Sequence, residues 1–199
     1  MSKPKKNFYN NPKMPQPNQE SKPLIQTAFS SEEVERWKPY DLDYYAQKLV
    51  LENRDKKNVL NESHKMRMTV AYGLERFWGE HLRYLNQSKK EGDESQNKGK
   101  YWKSVWDQLA KILKQGQIDL PNDPIGSSIQ IRRGYEQEDK KAKELEETSQ
   151  IQKMAEDLWK MPLPEQRIAL MVLSQFCDSL VWWTQRYKKK SSSSESEED

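Results

Sequence analysis

The residues of this chain that could do chemistry are few. It has two histidines and one cysteine. His64 and His81 lie seventeen residues apart, so they are not an i,i+4 pair of metal ligands, and no HExxH run occurs. His81 falls beside the apolar stripe of a helix and reads as a packing residue. His64 begins a helix among basic residues, where it either meets a phosphate or stands in solvent. Cys177, alone, excludes an internal disulfide and a cysteine-based zinc site, and its apolar helical surroundings read as core. Glu144, Glu146 and Glu147 follow Lys140, Lys141 and Lys143, the pattern of an ion-paired solvated face rather than an acid–base dyad. No Walker loop, dinucleotide glycine fingerprint or G-x-S-x-G is present. The expectation is a chain without catalytic residues, metal or cofactor, and so not an enzyme.

The other chemistry on offer is basic. Ser63-His64-Lys65-Met66-Arg67 opens a helix, where free backbone amides add to the positive side chains. Ile131-Arg132-Arg133-Gly134-Tyr135 sets two guanidiniums beside a glycine and an aromatic ring, and Trp183 to Lys190 closes the last helix in cations. Arginine grips a phosphate bidentately and lysine supplies a point charge, but backbone phosphates carry no sequence information. Cations at a helix C-terminus also favour the helix dipole with no ligand involved. There is no zinc-finger spacing and no RNP-type aromatic motif.

Helices must position these clusters. Ser30-Ser31-Glu32-Glu33 reads as a helix start, with a short helix to Trp37 stopped near Pro39. Asp41 caps the next, which carries Leu42, Tyr45 and Leu49 on one side and ends in Arg54, Lys56 and Lys57. Spacings of three and four through Val70, Leu74, Phe77, Trp78, Leu82 and Leu85 predict one long helix from Asn61 to Asn86, weakened at Gly73 and Gly79. Ser88 to Lys100 has no periodicity and reads as a flexible linker. Trp102, Val105, Trp106, Leu109, Ile112 and Leu113 form the cleanest stripe, ended by Gly116 and a loop over 119–126. Helix is predicted again from about Ser128, with a break at Gly134, until Met161-Pro-Leu-Pro164. The last helix, from about Pro164 to Lys188, faces the core with Ala169, Val172, Leu173, Phe176, Cys177, Leu180 and Trp183. Met171, Val181 and Trp182 lie outside that stripe. Such a helix sits at the bundle centre or turns part of its surface to another subunit.

The fold class expected is all-α, a compact bundle of about five or six helices with disordered tails. Residues 1–23 hold five lysines against one glutamate, and 191–199 is a serine–acid run; neither has enough apolar surface to order itself. Between them, 24–190 is the working domain, with 88–100 as its flexible insert. Seven Trp and nine Tyr supply its buried area. No segment has signal-peptide character or approaches ~18 consecutive apolar residues, so a cytoplasmic protein without membrane contact is expected.

At the basic clusters the chain resembles the small helical subunit of type III-A CRISPR (Csm) effector complexes. Asp43-Tyr44-Tyr45-Ala46-Gln47-Lys48 is loosely similar to the family's opening Asp-Tyr-x-x-x-Ala-x-Lys. Ser63, Lys65 and Arg67 match a Ser/Thr-x-Lys-x-Arg pattern, and 129–135 is similar to a later Arg, Tyr and Gly segment. Phe176-Cys177-Asp178-Ser179-Leu180-Val181-Trp182-Trp183, followed by Arg186 to Lys190, resembles the closing helix best. Gly134 precedes Tyr135, the reverse of the family's usual order. The resemblance implies a non-catalytic subunit in antiviral defence, stacked in several copies beside the backbone and large subunits of a ribonucleoprotein. It implies contact with the guide RNA–target RNA duplex through Lys65, Arg67, Arg132, Arg133 and Arg186, at phosphates or 2′-hydroxyls. Replacing Lys65 and Arg67 by Ala is then expected to weaken RNA association without unfolding the protein. The competing reading is a helical scaffold that binds only proteins, through its aromatic-rich helices.

Overall fold

The computed structural model describes residues 40–189. The helix predicted from Ser30 to Trp37, the tail over 1–23 and the tail over 191–199 lie outside the described residues. Six α-helices follow in order: α1 (Tyr40–Asn53), α2 (Glu62–Thr69), α3 (Leu74–Glu91), α4 (Asp93–Gln115), α5 (Glu136–Lys160) and α6 (Leu163–Tyr187). Short 3-10 turns at Val59–Asn61 and Val70–Tyr72 flank α2, and no strand occurs among the described residues. The result is an all-α bundle.

The stripe on α4 is buried at every position, with Trp102, Val105, Trp106, Leu109, Ile112 and Leu113 all in the core. Phe77 of α3 packs its ring 4.9 Å from Trp102 and 6.2 Å from Trp106, tying α3 and α4 into an antiparallel pair. Burying side chains of this size contributes roughly 1.5–3 kcal/mol each. α6 buries Ala169, Val172, Leu173, Phe176, Cys177 and Leu180 against α1, α2 and α4. Met171 and Trp182 stay exposed at 58% and 45%, so the surplus apolar surface of this helix does face outward.

Three boundaries differ from the pattern. The helix predicted over 61–86 is two helices, because Gly73 adopts φ 99°, a backbone state that closes α2's 3-10 exit and redirects the chain into α3. Gly79 stays inside α3, so glycine alone did not mark the break. The supposed linker over 88–100 is helical, interrupted only at Gly92 with φ 74°. Its inward positions are small rather than apolar: Ser95 and Gly99 are buried, and a Cβ on Gly99 would come within 3.1 Å of the His81 carbonyl oxygen. The helix expected from Ser128 begins only at Glu136. Residues 126–135 instead run back along α5, held by Gly126 N–H and C=O to the Gln150 amide at 2.8 and 3.0 Å, and by Ser127 donating to Glu146.

No helix among the described residues is long and apolar enough to cross a membrane.

Candidate nucleic-acid interface

Two of the three basic clusters come together at one end of the bundle. α1 and α6 run the same way: Asp43 lines a pocket with Ser179 and Trp182, while Gln47 donates to the Tyr187 hydroxyl at 2.7 Å. α2 runs opposite to α6, with Ser63 2.8 Å from Thr184 and Arg67 paired with Asp178. The end of α1, the start of α2 and the end of α6 therefore meet. Arg54 Nε donates to the Tyr187 carbonyl at 2.8 Å, Lys188 Nζ donates to Asn61 Oδ1 at 2.6 Å, and Lys189 pairs with Asp55. Around them stand Lys56 and Lys57, both exposed, Lys57 only loosely matched to Glu94 at 4.0 Å. This basic pole unites cations some 130 positions apart in the chain.

Beneath the pole lies a polar nest. Glu62, fully buried in the first turn of α2, accepts from Tyr84 O–H at 2.6 Å, Trp102 Nε1–H at 3.1 Å and Lys65 Nζ at 2.8 Å. Next to it, the buried Ser63 hydroxyl bonds to Tyr101 at 2.9 Å and to Thr184. A buried carboxylate is tolerated only when its charge is matched and its lone pairs are used, and here both conditions hold. The bond to Glu62 is the main reason the Lys65 ammonium is held above its usual pKa. Burial pushes the Tyr101 phenol and the Cys177 thiol well above theirs. Cys177 is thereby a core residue, not a thiolate.

The five residues singled out in the sequence divide by their partners. Lys65 is committed to Glu62 and Tyr84, though its side chain remains 58% exposed. Arg67 pairs with Asp178 across the α2–α6 seam. Arg186 donates to the Trp182 carbonyl at 2.9 Å and lies over the Trp182 ring. Arg132 chelates Asp139 through Nε at 3.1 Å and Nη2 at 2.7 Å, while its own N–H donates to the same carboxylate at 2.8 Å. These bonds hold the Asp139 carboxyl below the usual range. Arg133 alone among the five is exposed with no partner among the described residues. The structure thus brings Lys65 and Arg186 toward the pole and gives Arg132 a structural job on the loop before α5. Since Lys65 is the one cation among the described residues paired with the buried Glu62 carboxylate, its replacement by Ala carries a stability cost that the sequence did not announce.

Arg54, Lys56 and Lys57 belong to the pole and were read in the sequence only as helix-end charges. The signal available was their spacing after α1 in a run that also includes Lys48 and precedes the Ser63 cluster by few residues. His81 is buried as expected, its Nδ1 against the Trp78 carbonyl and its ring edge-on to Trp78 at 5.4 Å. His64 is exposed at the start of α2.

Comparison of the chain with protein-family models, with curated proteins and with solved structures finds no match.

Proposed function

We propose that the chain is a non-catalytic helical subunit of an RNA-guided ribonucleoprotein, of the small-subunit kind found in type III-A CRISPR effectors. In that role it lies along the guide RNA–target RNA duplex and works with a backbone subunit, a large subunit and further copies of itself in antiviral defence. The observation that carries this reading is the basic pole. The clusters that resemble the family's, at the start of α2 and the end of α6, are distant in sequence and adjacent in space. Arg54, Lys56 and Lys57 add cations at the same place. A surface of this kind suits phosphates and 2′-hydroxyls of an A-form duplex, whose deep major groove hides its bases from side chains. It binds by charge and shape, without reading sequence.

A second reading, a scaffold that binds only proteins, is favoured by the carboxylate partners of Lys65, Arg67 and Arg132 and by exposed Trp159, Tyr72 and Met171. Affinity purification of the tagged protein from its native host, followed by sequencing of the co-purified RNA, separates the two. Repeat-derived guide RNAs recovered together with larger subunits support the ribonucleoprotein. Protein partners without guide RNA, from a host shown to express its CRISPR arrays, support the scaffold.

A further inference from the structure

The end of the bundle opposite the pole is built differently. α2 ends there and α6 begins there, since the two helices run antiparallel. Two tight turns frame it. Gly73, at φ 99°, turns the chain from α2's 3-10 exit into α3, and Met161 and Pro162 alone separate α5 from α6. Between these turns lies a cavity of about 490 Å³. Leu158 and Leu170 line it, and Tyr72 and Trp159, from elements far apart in sequence, add their rings. Those two residues are 65% and 73% exposed. A single exposed aromatic calls for no explanation, but two on one cavity do.

The polar lining narrows the occupant. Arg76 is exposed, its guanidinium 5.5 Å from the centroid of the Tyr72 ring, with no carboxylate partner among the described residues. Gln166 donates its amide N–H to the Met161 carbonyl at 2.7 Å, which fixes the side chain and leaves its own carbonyl oxygen to accept. Glu75 adds a second acceptor. Apolar walls alone would suit any aliphatic side chain. Rings, an unpaired guanidinium and two acceptors together suit a nucleotide: the rings stack on the base, the guanidinium meets the phosphate, and the acceptors meet amino groups on the base edge.

We propose that this cavity takes one unpaired base of a nucleic-acid single strand, stacked on Tyr72 and Trp159 with its phosphate on Arg76. Bases inside a duplex are already stacked and paired, so only a nucleotide outside the duplex reaches the site. That the strand is RNA rests on the function proposed above; the stacking site itself does not.

The test is binding of a short, unstructured, fluorescently labelled RNA strand to the full-length protein, read by anisotropy at about 0.1 M salt. Trp159→Ala and Tyr72→Ala each weaken binding about tenfold, while Trp159→Phe and Tyr72→Phe stay within about threefold of the wild type, because the ring is what stacks. Arg76→Gln flattens the slope of log K against log salt by about one unit. Ultraviolet cross-linking read by mass spectrometry places adducts at Tyr72 and Trp159. Strand binding that ignores both alanine variants overturns the site, whatever the pole does with a duplex, and so does an absence of strand binding. Loss of a protein partner in Trp159→Ala with strand binding intact also overturns it, and makes the cavity a protein-docking site. The converse result separates the two readings. If Lys56→Gln, Lys57→Gln and Lys188→Gln together leave duplex binding unchanged while Trp159→Ala still releases the single strand, the duplex reading falls and the stacking site stands.

Discussion

The first turns of α2 and α5 each seat a carboxylate under a cation, yet the two sites do opposite things. Glu62 is engulfed by the core: its donors Tyr84 and Trp102 come from α3 and α4, and Lys65 closes it on the outside. Asp139 is held by Arg132, seven residues away on the loop that runs back along the same helix. The first site binds three helices into one body. The second shapes an arm whose other contacts, Gly126 to Gln150 and Ser127 to Glu146, are also within 126–150. A charged pair thus organises a fold only where its partners come from different elements. Elsewhere it sets local shape.

The sharpest way to break this contrast is Glu62→Ala. It leaves Lys65, Tyr84 and Trp102 facing an empty polar site, and a loss of about 3–5 kcal/mol is expected in urea unfolding. Trp102→Phe keeps the ring packing and deletes the indole donor, and should cost about 1–3 kcal/mol. Gly99→Ala forces a methyl group against the His81 carbonyl and the Leu85 side chain. Part of that crowding is offset by better helix propensity, so a net loss of about 1 kcal/mol is expected. Asp139→Ala should leave the unfolding midpoint unchanged while amide exchange over 126–139 quickens. A global destabilisation matching that of Glu62→Ala would erase the distinction between the two sites.

A smaller effect comes from acid. Burial holds the His81 imidazole below its ordinary pKa, with Lys103 opposing its protonation and Asp107 favouring it. The unfolded chain therefore binds a proton near pH 6.5 that the native state refuses. Stability is fully present above that pH and falls as pH drops toward the lowered native value, with a slope of at most about 1.4 kcal/mol per pH unit from this group. In His81→Gln that share of the slope should vanish between pH 7 and 5, whatever happens to the absolute stability.

How much of this was legible follows from where apolar atoms lie. α4 and α6 were readable because their inward faces are large and apolar at helical spacing. The 88–100 segment was not, because its inward residues are Ser95 and Gly99, chosen for smallness, and smallness leaves no hydrophobic period. Gly73 and Gly79 look alike in sequence, and only the backbone turn at Gly73 separates α2 from α3. Glu62 was invisible as a core residue, since a lone glutamate in a helix's first turn reads as a dipole partner. The α2 and α6 halves of the pole were named from the sequence. Its α1 part was not, because only the fold brings Arg54 to Tyr187.

The most direct test of the pole is the salt dependence of binding to an RNA duplex, measured for the wild type and for Lys56→Gln, Lys57→Gln, Lys188→Gln combined. None of these residues touches the Glu62 nest, so the fold stays intact. If the pole holds phosphates, affinity drops at least tenfold near 0.1 M salt and the slope of log K against log salt flattens by up to about three units. A folded triple variant with unchanged affinity and slope would contradict it and leave the helices to protein partners alone.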